Sequence, residues 1–232
     1  MEDSLVVFSN IIPNFDLFCV FDGHGGSYTS TICSYEIIKY FQSCDLAEDE
    51  INEKFIEQFF ECILLKLKEM NVKDGSTLAL TLVSNDEIII SHLGDSRVLL
   101  IEENGEIRHA TIDHKPDDKN EIKRILKEGG KVFKGRVSGT LSIARCLGDF
   151  YIPGIGRTPT TVKLELTHED KWLILGCDGL FDLITNEEIA KIAMKADNPT
   201  ELAYDLRNIA YHRYSPDNIS VIAVDLQKKK TI

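Results

Sequence analysis

The stretch Glu87-Ile88-Ile89-Ile90-Ser91-His92-Leu93-Gly94-Asp95-Ser96-Arg97-Val98-Leu99-Leu100-Ile101-Glu102 holds two runs rich in aliphatic and β-branched residues on either side of Gly94-Asp95-Ser96. Such runs, separated by a short break containing Gly and Asp, predict two strands joined by a tight hairpin. A hairpin joins antiparallel neighbours, whereas parallel strands need a longer crossover. The stretch therefore predicts antiparallel sheet rather than a doubly wound parallel one.

Similar runs lie outward from it at residues 17–21, 77–83, 171–177 and 219–226, each bounded by Gly, Asp, Asn or Pro. With Glu87–Leu93 and Arg97–Glu102 they make six predicted strands. Apolar residues recur every three or four positions over 30–41 and 50–70, where Ile51, Phe55, Phe59, Ile63 and Leu67 form a core-facing stripe. A third helix is predicted over Lys119–Lys127, stopping at Gly129-Gly130. A fourth starts at Thr185, whose spacing to Glu188 fits a capping box, and a fifth follows Asn198-Pro199. Helices grouped early and strands grouped in the middle and at the end predict an α+β domain with helices covering antiparallel sheets. Residues 111–120 and 148–161 read as longer loops.

The chain has 232 residues, 43% of them apolar, enough for one sizeable core and a single domain. Its net charge of -12 argues against a nucleic-acid backbone as partner. An acidic enzyme acting on phosphate esters needs cations to offset that repulsion. Six scattered cysteines form no Cys-x-x-Cys pair and read as reduced core residues. No apolar stretch approaches the roughly 20 residues of a membrane helix, and the start lacks the basic flank of a signal peptide. Cytosol or nucleus is the expected compartment.

Three predicted strands run into an aspartate beside a glycine, at Asp22-Gly23, Gly94-Asp95 and Asp178-Gly179, and Asp217 opens the last strand. Singly, each reads as a turn. Together, aspartates at the ends of neighbouring strands converge on one rim of a sheet, where carboxylates repel unless protonated or bound to cations. Oxygen donors without a Cys or His pair favour Mg²⁺ or Mn²⁺ over structural zinc. Two such ions sharing a carboxylate can clamp a phosphate and activate a water for attack on phosphorus.

The words Asp22-Gly23-His24-Gly25-Gly26, Gly75-Ser76-Thr77, Gly94-Asp95-Ser96-Arg97, Asp113-His114-Lys115-Pro116, Ala144-Arg145-Cys146-Leu147-Gly148-Asp149, Cys177-Asp178-Gly179-Leu180-Phe181-Asp182 and Asp217-Asn218 closely resemble, in order, the signatures of the PP2C family of metal-dependent serine/threonine phosphatases. The resemblance implies a four-layer α-β-β-α sandwich. It implies that Asp22 bridges two Mn²⁺ or Mg²⁺ ions, that Asp178 and Asp217 complete one site, and that Glu2 with the carbonyl of Gly23 completes the other. Asp3 would orient a metal-bound water, and Asp95 with Asp178 would hold a weaker third ion. His24 would protonate the leaving alkoxide, and the substrates would be phosphorylated proteins. The family places a strand and a phosphate-anchoring arginine before the Glu-Asp pair. Only Met1 precedes Glu2 here, so this chain is expected to lack both. A catalytically inactive, phosphatase-like binding module is the alternative reading, and a two-metal nuclease a third. Arg97, Arg136 and Arg145 read as structural partners of acidic neighbours, His92 as a satisfied core residue, and His114 as a fixer of loop geometry.

Overall fold

The computed structural model describes residues 1–44 and 51–229. Glu50, the first residue of the predicted helix 50–70, lies outside them. One sheet has the order β1 (Ser4–Ile12), β2 (Phe15–Phe21), β5 (Leu78–Val83), β6 (Glu87–Leu93) and β12 (Thr160–Glu165). The other has the order β14 (Val221–Asp225), β13 (Asp170–Gly176), β7 (Arg97–Glu102) and β8 (Ile107–Ala110). All the pairings within them are antiparallel. A small ribbon joins β3 (Gly23–His24), β4 (Gly75–Ser76) and β11 (Leu147–Gly148), and β9 (Val132–Phe133) pairs with β10 (Arg136–Val137).

Period-two alternation assigns each strand face to a layer. On β2, Phe15, Leu17, Cys19 and Phe21 face α1 (Tyr28–Ser43) and α2 (Glu53–Glu69), while Phe18 and Val20 face the second sheet. On β13, Leu173 and Leu175 meet the first sheet. Trp172 and Ile174 instead pack with residues of α5 (Asn186–Ala193) and α6 (Pro199–His212). The result is helix, sheet, sheet, helix, as expected. Because central strands are buried on both faces, their sequences read as continuous apolar runs. Leu173→Ala, in the fully buried middle layer, is expected to cost about 2–5 kcal/mol. A lowered urea midpoint with an unchanged m-value would show it.

The helix termini follow the predicted chemistry. The Thr185 side chain accepts from the Glu188 N–H at 3.2 Å while Glu188 accepts from the Thr185 N–H, closing the capping box of α5. Asn198 caps α6 with Pro199 in its first turn. The third helix, α3 (Lys119–Lys127), matches its predicted bounds, and α4 (Asp178–Phe181) and α7 (Leu226–Lys229) are single turns.

The predicted hairpin is not one. β6 lies between β5 and β12, and β7 lies between β13 and β8, so Gly94-Asp95-Ser96 carries the chain from one sheet to the other. The backbone groups of Gly94 are taken by the 111–120 loop, and the Ser96 hydroxyl is held by Thr77, just before β5. His114 N–H donates to the Gly94 carbonyl at 2.8 Å, Gly94 N–H donates to His114 Nδ1 at 3.1 Å, and Ser96 Oγ lies 2.6 Å from Thr77 Oγ1. A tight hairpin does occur at Pro13-Asn14, where Ile12 pairs with Phe15 and Asn14 takes φ 69°. Three strands of the two main sheets were not predicted, β1, β8 and β12, the last beginning inside the expected loop 148–161, nor were the two-residue strands β3, β4, β9, β10 and β11. β1 is an edge strand on which the apolar Leu5 and Val7 face solvent, so its sequence lacks the apolar-polar alternation of a half-buried strand.

Candidate active site

The predicted ligands come from both sheets rather than from one rim. Asp22 and Asp95 follow β2 and β6 of the first sheet, while Asp178 opens α4 after β13 of the second. Asp217 sits in the loop ahead of β14 and does not open that strand. Asp3 precedes β1, and its Oδ2 accepts from Ser220 Oγ at 2.6 Å across 217 residues of sequence. The start of the chain is tied down further. Glu2 N–H donates to Asn218 Oδ1 at 2.8 Å, and Ser30 Oγ donates to the Glu2 carbonyl at 2.5 Å. Two glycines permit this crowding: a Cβ on Gly23 would overlap the Glu2 carbonyl, and one on Gly179 would overlap the carbonyl of Asn218. The side chains of Glu2 and Asp217 are exposed at the edge of the cluster.

Electrostatics shows that the carboxylates share one region. Burial, then the charges of Asp178, Asp3, Asp95 and Asp217, push Asp22 up to about 9. Burial, then Asp95, Asp182 and Asp217, push Asp178 up to about 7 against the opposing pull of Lys115. Burial raises Asp3 despite its bond from Ser220, and raises Asp95 despite its ion pair with Lys115. Oδ1 of Asp3 and Oδ1 of Asp178 are buried with no hydrogen-bond partner. Crowded carboxylates with orphaned oxygens are what a hard divalent cation satisfies, so these residues fit Mg²⁺ or Mn²⁺. Among the described residues, no three of these carboxylates bring oxygens within 4.8 Å of one another.

The sign of the pH effect follows. Both carboxyls hold protons in the folded chain above the ordinary carboxylate range near about 4. The native state therefore binds more protons than the unfolded one between that range and about 7 to about 9, and stability falls as pH rises through the window. With chelator present, Tm is expected to drop between pH 5 and pH 9. Added Mn²⁺ should then raise Tm by several degrees more at pH 8 than at pH 5, where about 1 kcal/mol corresponds to about 2–4 °C. Equal Mn²⁺ shifts at the two pH values, read by calorimetry, would contradict the assignment.

His24 stands on β3 with Nε2 2.5 Å from Oδ2 of Asp149, a carboxylate only 2% exposed. Asp149 takes φ 44°, a left-handed conformation held in place by Arg157, whose guanidinium donates to the carbonyls of Gly148 and Asp149 and lies over the Phe150 ring. The sequence reading gave Asp149 no role. Its one signal was its place at the end of the Ala144–Asp149 word, whose contact with β3 only the ribbon creates.

A profile of the family described as Protein phosphatase 2C matches residues 1–219. The chain belongs to the protein phosphatase 2C family. It is 31% identical to Protein phosphatase 2C homolog 1 of Saccharomyces cerevisiae over 97% of this chain and 88% of the yeast protein. It is 28% identical to Probable protein phosphatase 2C 22 of Arabidopsis thaliana, covering 98% of this chain but 65% of that protein's length. Among solved structures, a phosphatase from Toxoplasma gondii superposes with a TM-score of 0.82 at 21% identity over 96% of this chain and 87% of its own. A C. elegans sex determining protein gives 0.79 at 25% identity over 100% of this chain and 64% of its own.

Within this PP2C frame the secondary readings also find their places. Arg97 pairs with Asp113 and donates to Asn186, and Arg145 pairs with Glu121, as expected; Arg136 differs, its guanidinium donating to the Thr140 carbonyl rather than to an acidic side chain. His92 is buried with Nε2 2.8 Å from the Ile112 carbonyl. His114 bridges Gly94 and Thr160, fixing the PP2C loop that carries Lys115 to Asp95. The six cysteines are all free, and Cys19, Cys33, Cys146 and Cys177 are buried as expected, but Cys44 is half-buried and Cys62 is exposed on the helix surface rather than in the core. No helix among the described residues is long and apolar enough to cross a membrane.

Proposed function

We propose that this chain is a metal-dependent phosphatase that removes phosphate from serine and threonine side chains of proteins. The observation that carries the reading is the meeting of Asp3, Asp22, Asp95 and Asp178 from two sheets, with two buried, unpartnered oxygens among them. Asp22 would be shared by two Mn²⁺ or Mg²⁺ ions, Asp178 and Asp217 would complete one site, and Glu2 with the Gly23 carbonyl the other. Asp95 with Asp178 would take a third, weaker ion. When bound, the ions supply charge neutralisation for the phosphate and acidification of a water.

The chain's own groups supply the rest. Asp3, held by Ser220, would orient water at the cluster. Asp149 fixes the His24 ring through Nε2, so the imidazole can deliver a proton to the departing serine or threonine oxygen without searching for its orientation. Arg97 and Arg145 are held by acidic partners in the fold, and the proposed activity does not draw on them.

The test is hydrolysis of p-nitrophenyl phosphate by the purified chain with Mn²⁺ titrated in and EDTA as quench, followed by a phosphoserine peptide against a dinucleotide. Mn²⁺-dependent turnover with preference for the peptide supports the reading. A folded chain with no turnover would point to a binding module, and preference for the dinucleotide to a nuclease.

A further inference from the structure

The ribbon of β3, β4 and β11 sets His24, Gly75 and Gly148 side by side. Gly75 carries no side chain, and a Cβ there would overlap both Asp149 Oδ2 and His24 Nε2. Cys146, immediately before β11, places Sγ 3.4 Å from the same Asp149 oxygen. One ligand atom from each of His24, Cys146 and Asp149 lies within 4.8 Å of the other two, and among the described residues no other set of three such donors does. An imidazole, a thiol and a carboxylate over a bare glycine form a donor set unlike the oxygen-only aspartate cluster. Three mixed N, S and O donors with an open fourth position are what Zn²⁺ accepts.

We propose that His24, Cys146 and Asp149 form a second metal site, specific for a thiophilic divalent ion of the Zn²⁺ type, whose occupation withdraws His24 and inhibits the enzyme. The inhibitory half rests on the role proposed above for His24; the binding half does not. Bonds of about 2.0–2.3 Å in a tetrahedron hold donors roughly 3.3–3.7 Å apart. The sulfur–carboxylate separation already meets this. The imidazole–carboxylate contact of 2.5 Å must open by about 1 Å. That movement falls to His24, which is 26% exposed, while Asp149 stays buried.

The protons balance. As the Zn–S, Zn–N and Zn–O bonds form, the Cys146 S–H proton passes to solvent, and the His24 Nε2 proton is also released, the ring taking a proton at Nδ1 where that nitrogen carried none, so that neutral imidazole is the ligand. Without the ion, the same three groups form a hydrogen-bonded chain that holds the ring. The site therefore has two states, one supporting proton delivery and one abolishing it. Oxygen-seeking Mg²⁺ and Mn²⁺ are poor occupants of a thiolate site, so activating and inhibiting ions are sorted by chemistry.

The test uses the full chain in saturating Mg²⁺, titrated with Co²⁺ as a spectroscopic stand-in for Zn²⁺. A thiolate-to-cobalt charge-transfer absorption is expected to saturate at one equivalent, to vanish on adding Zn²⁺, and to be absent in Cys146→Ala. Cys146→Ser, which keeps the shape, should also lose the band and weaken Zn²⁺ at least about tenfold, the lower range for loss of a supporting partner. In turnover of a phosphoserine peptide, Zn²⁺ should inhibit the wild type at concentrations at least about tenfold below those needed for Cys146→Ala. A missing band, or one that persists in Cys146→Ala, would overturn the site. Equal zinc inhibition of both proteins would place the inhibiting ion among the aspartates and overturn the inhibitory role. If the chain shows no Mn²⁺-dependent turnover, the phosphatase reading fails while the cobalt band still decides the site.

Discussion

Asp178→Asn is expected to lower Mn²⁺-dependent turnover by at least about a thousandfold while leaving the chain folded. Charge stabilisation by a bound cation is worth several kcal/mol, and each 1.36 kcal/mol is about a factor of ten in rate. Asn keeps the shape of Asp but removes the charge that holds the ion. The same substitution relieves repulsion. Asp178 is pushed up to about 7 by burial and by Asp95, Asp182 and Asp217, so at pH 8 the wild-type carboxylate is ionised in an unfavourable place. The chelated variant should therefore melt no lower than chelated wild type, and its Mn²⁺-induced rise in Tm should shrink. Activity titrations and thermal melts, each with and without EDTA, measure both effects. Turnover near the wild-type level would show that Asp178 holds no essential ion.

His24→Ala is expected to cut turnover of a phosphoserine peptide by about 10²–10³, within the usual range for loss of a general acid. Against p-nitrophenyl phosphate the loss should be much smaller, because p-nitrophenolate departs without needing a proton. The structure adds a reason for the size of the first effect: the ring is held by a nearly buried carboxylate at 2.5 Å, so its orientation is settled before substrate arrives. Equal losses on both substrates would instead assign His24 to binding or to shaping the metal centre.

The structure also explains why the sequence reading of the opening stretch reached the right class through a wrong connection. β6 and β7 span the predicted Glu87–Leu93 and Arg97–Glu102. Yet both are buried on both faces, and a strand with two apolar faces carries no mark of which neighbour it takes. The Gly94-Asp95-Ser96 break has hairpin composition, but His114 and Thr77 take its bonding groups. The choice of sheet was made by packing across the sandwich.

By itself the sequence determined what is local: the central strands and the main helices, the caps at Thr185 and Asn198, and the aspartate-glycine words that identify the chemistry. Turn residues, periodicity and caps act over a few positions and can be read in order. The tertiary structure alone decided which strands share a sheet, that the carboxylates come from both sheets, that Ser220 and Asn218 secure Asp3 and Glu2, and that Asp149 meets His24 across 125 residues. Those facts depend on burial and on through-space charge, which exist only once distant segments are packed together.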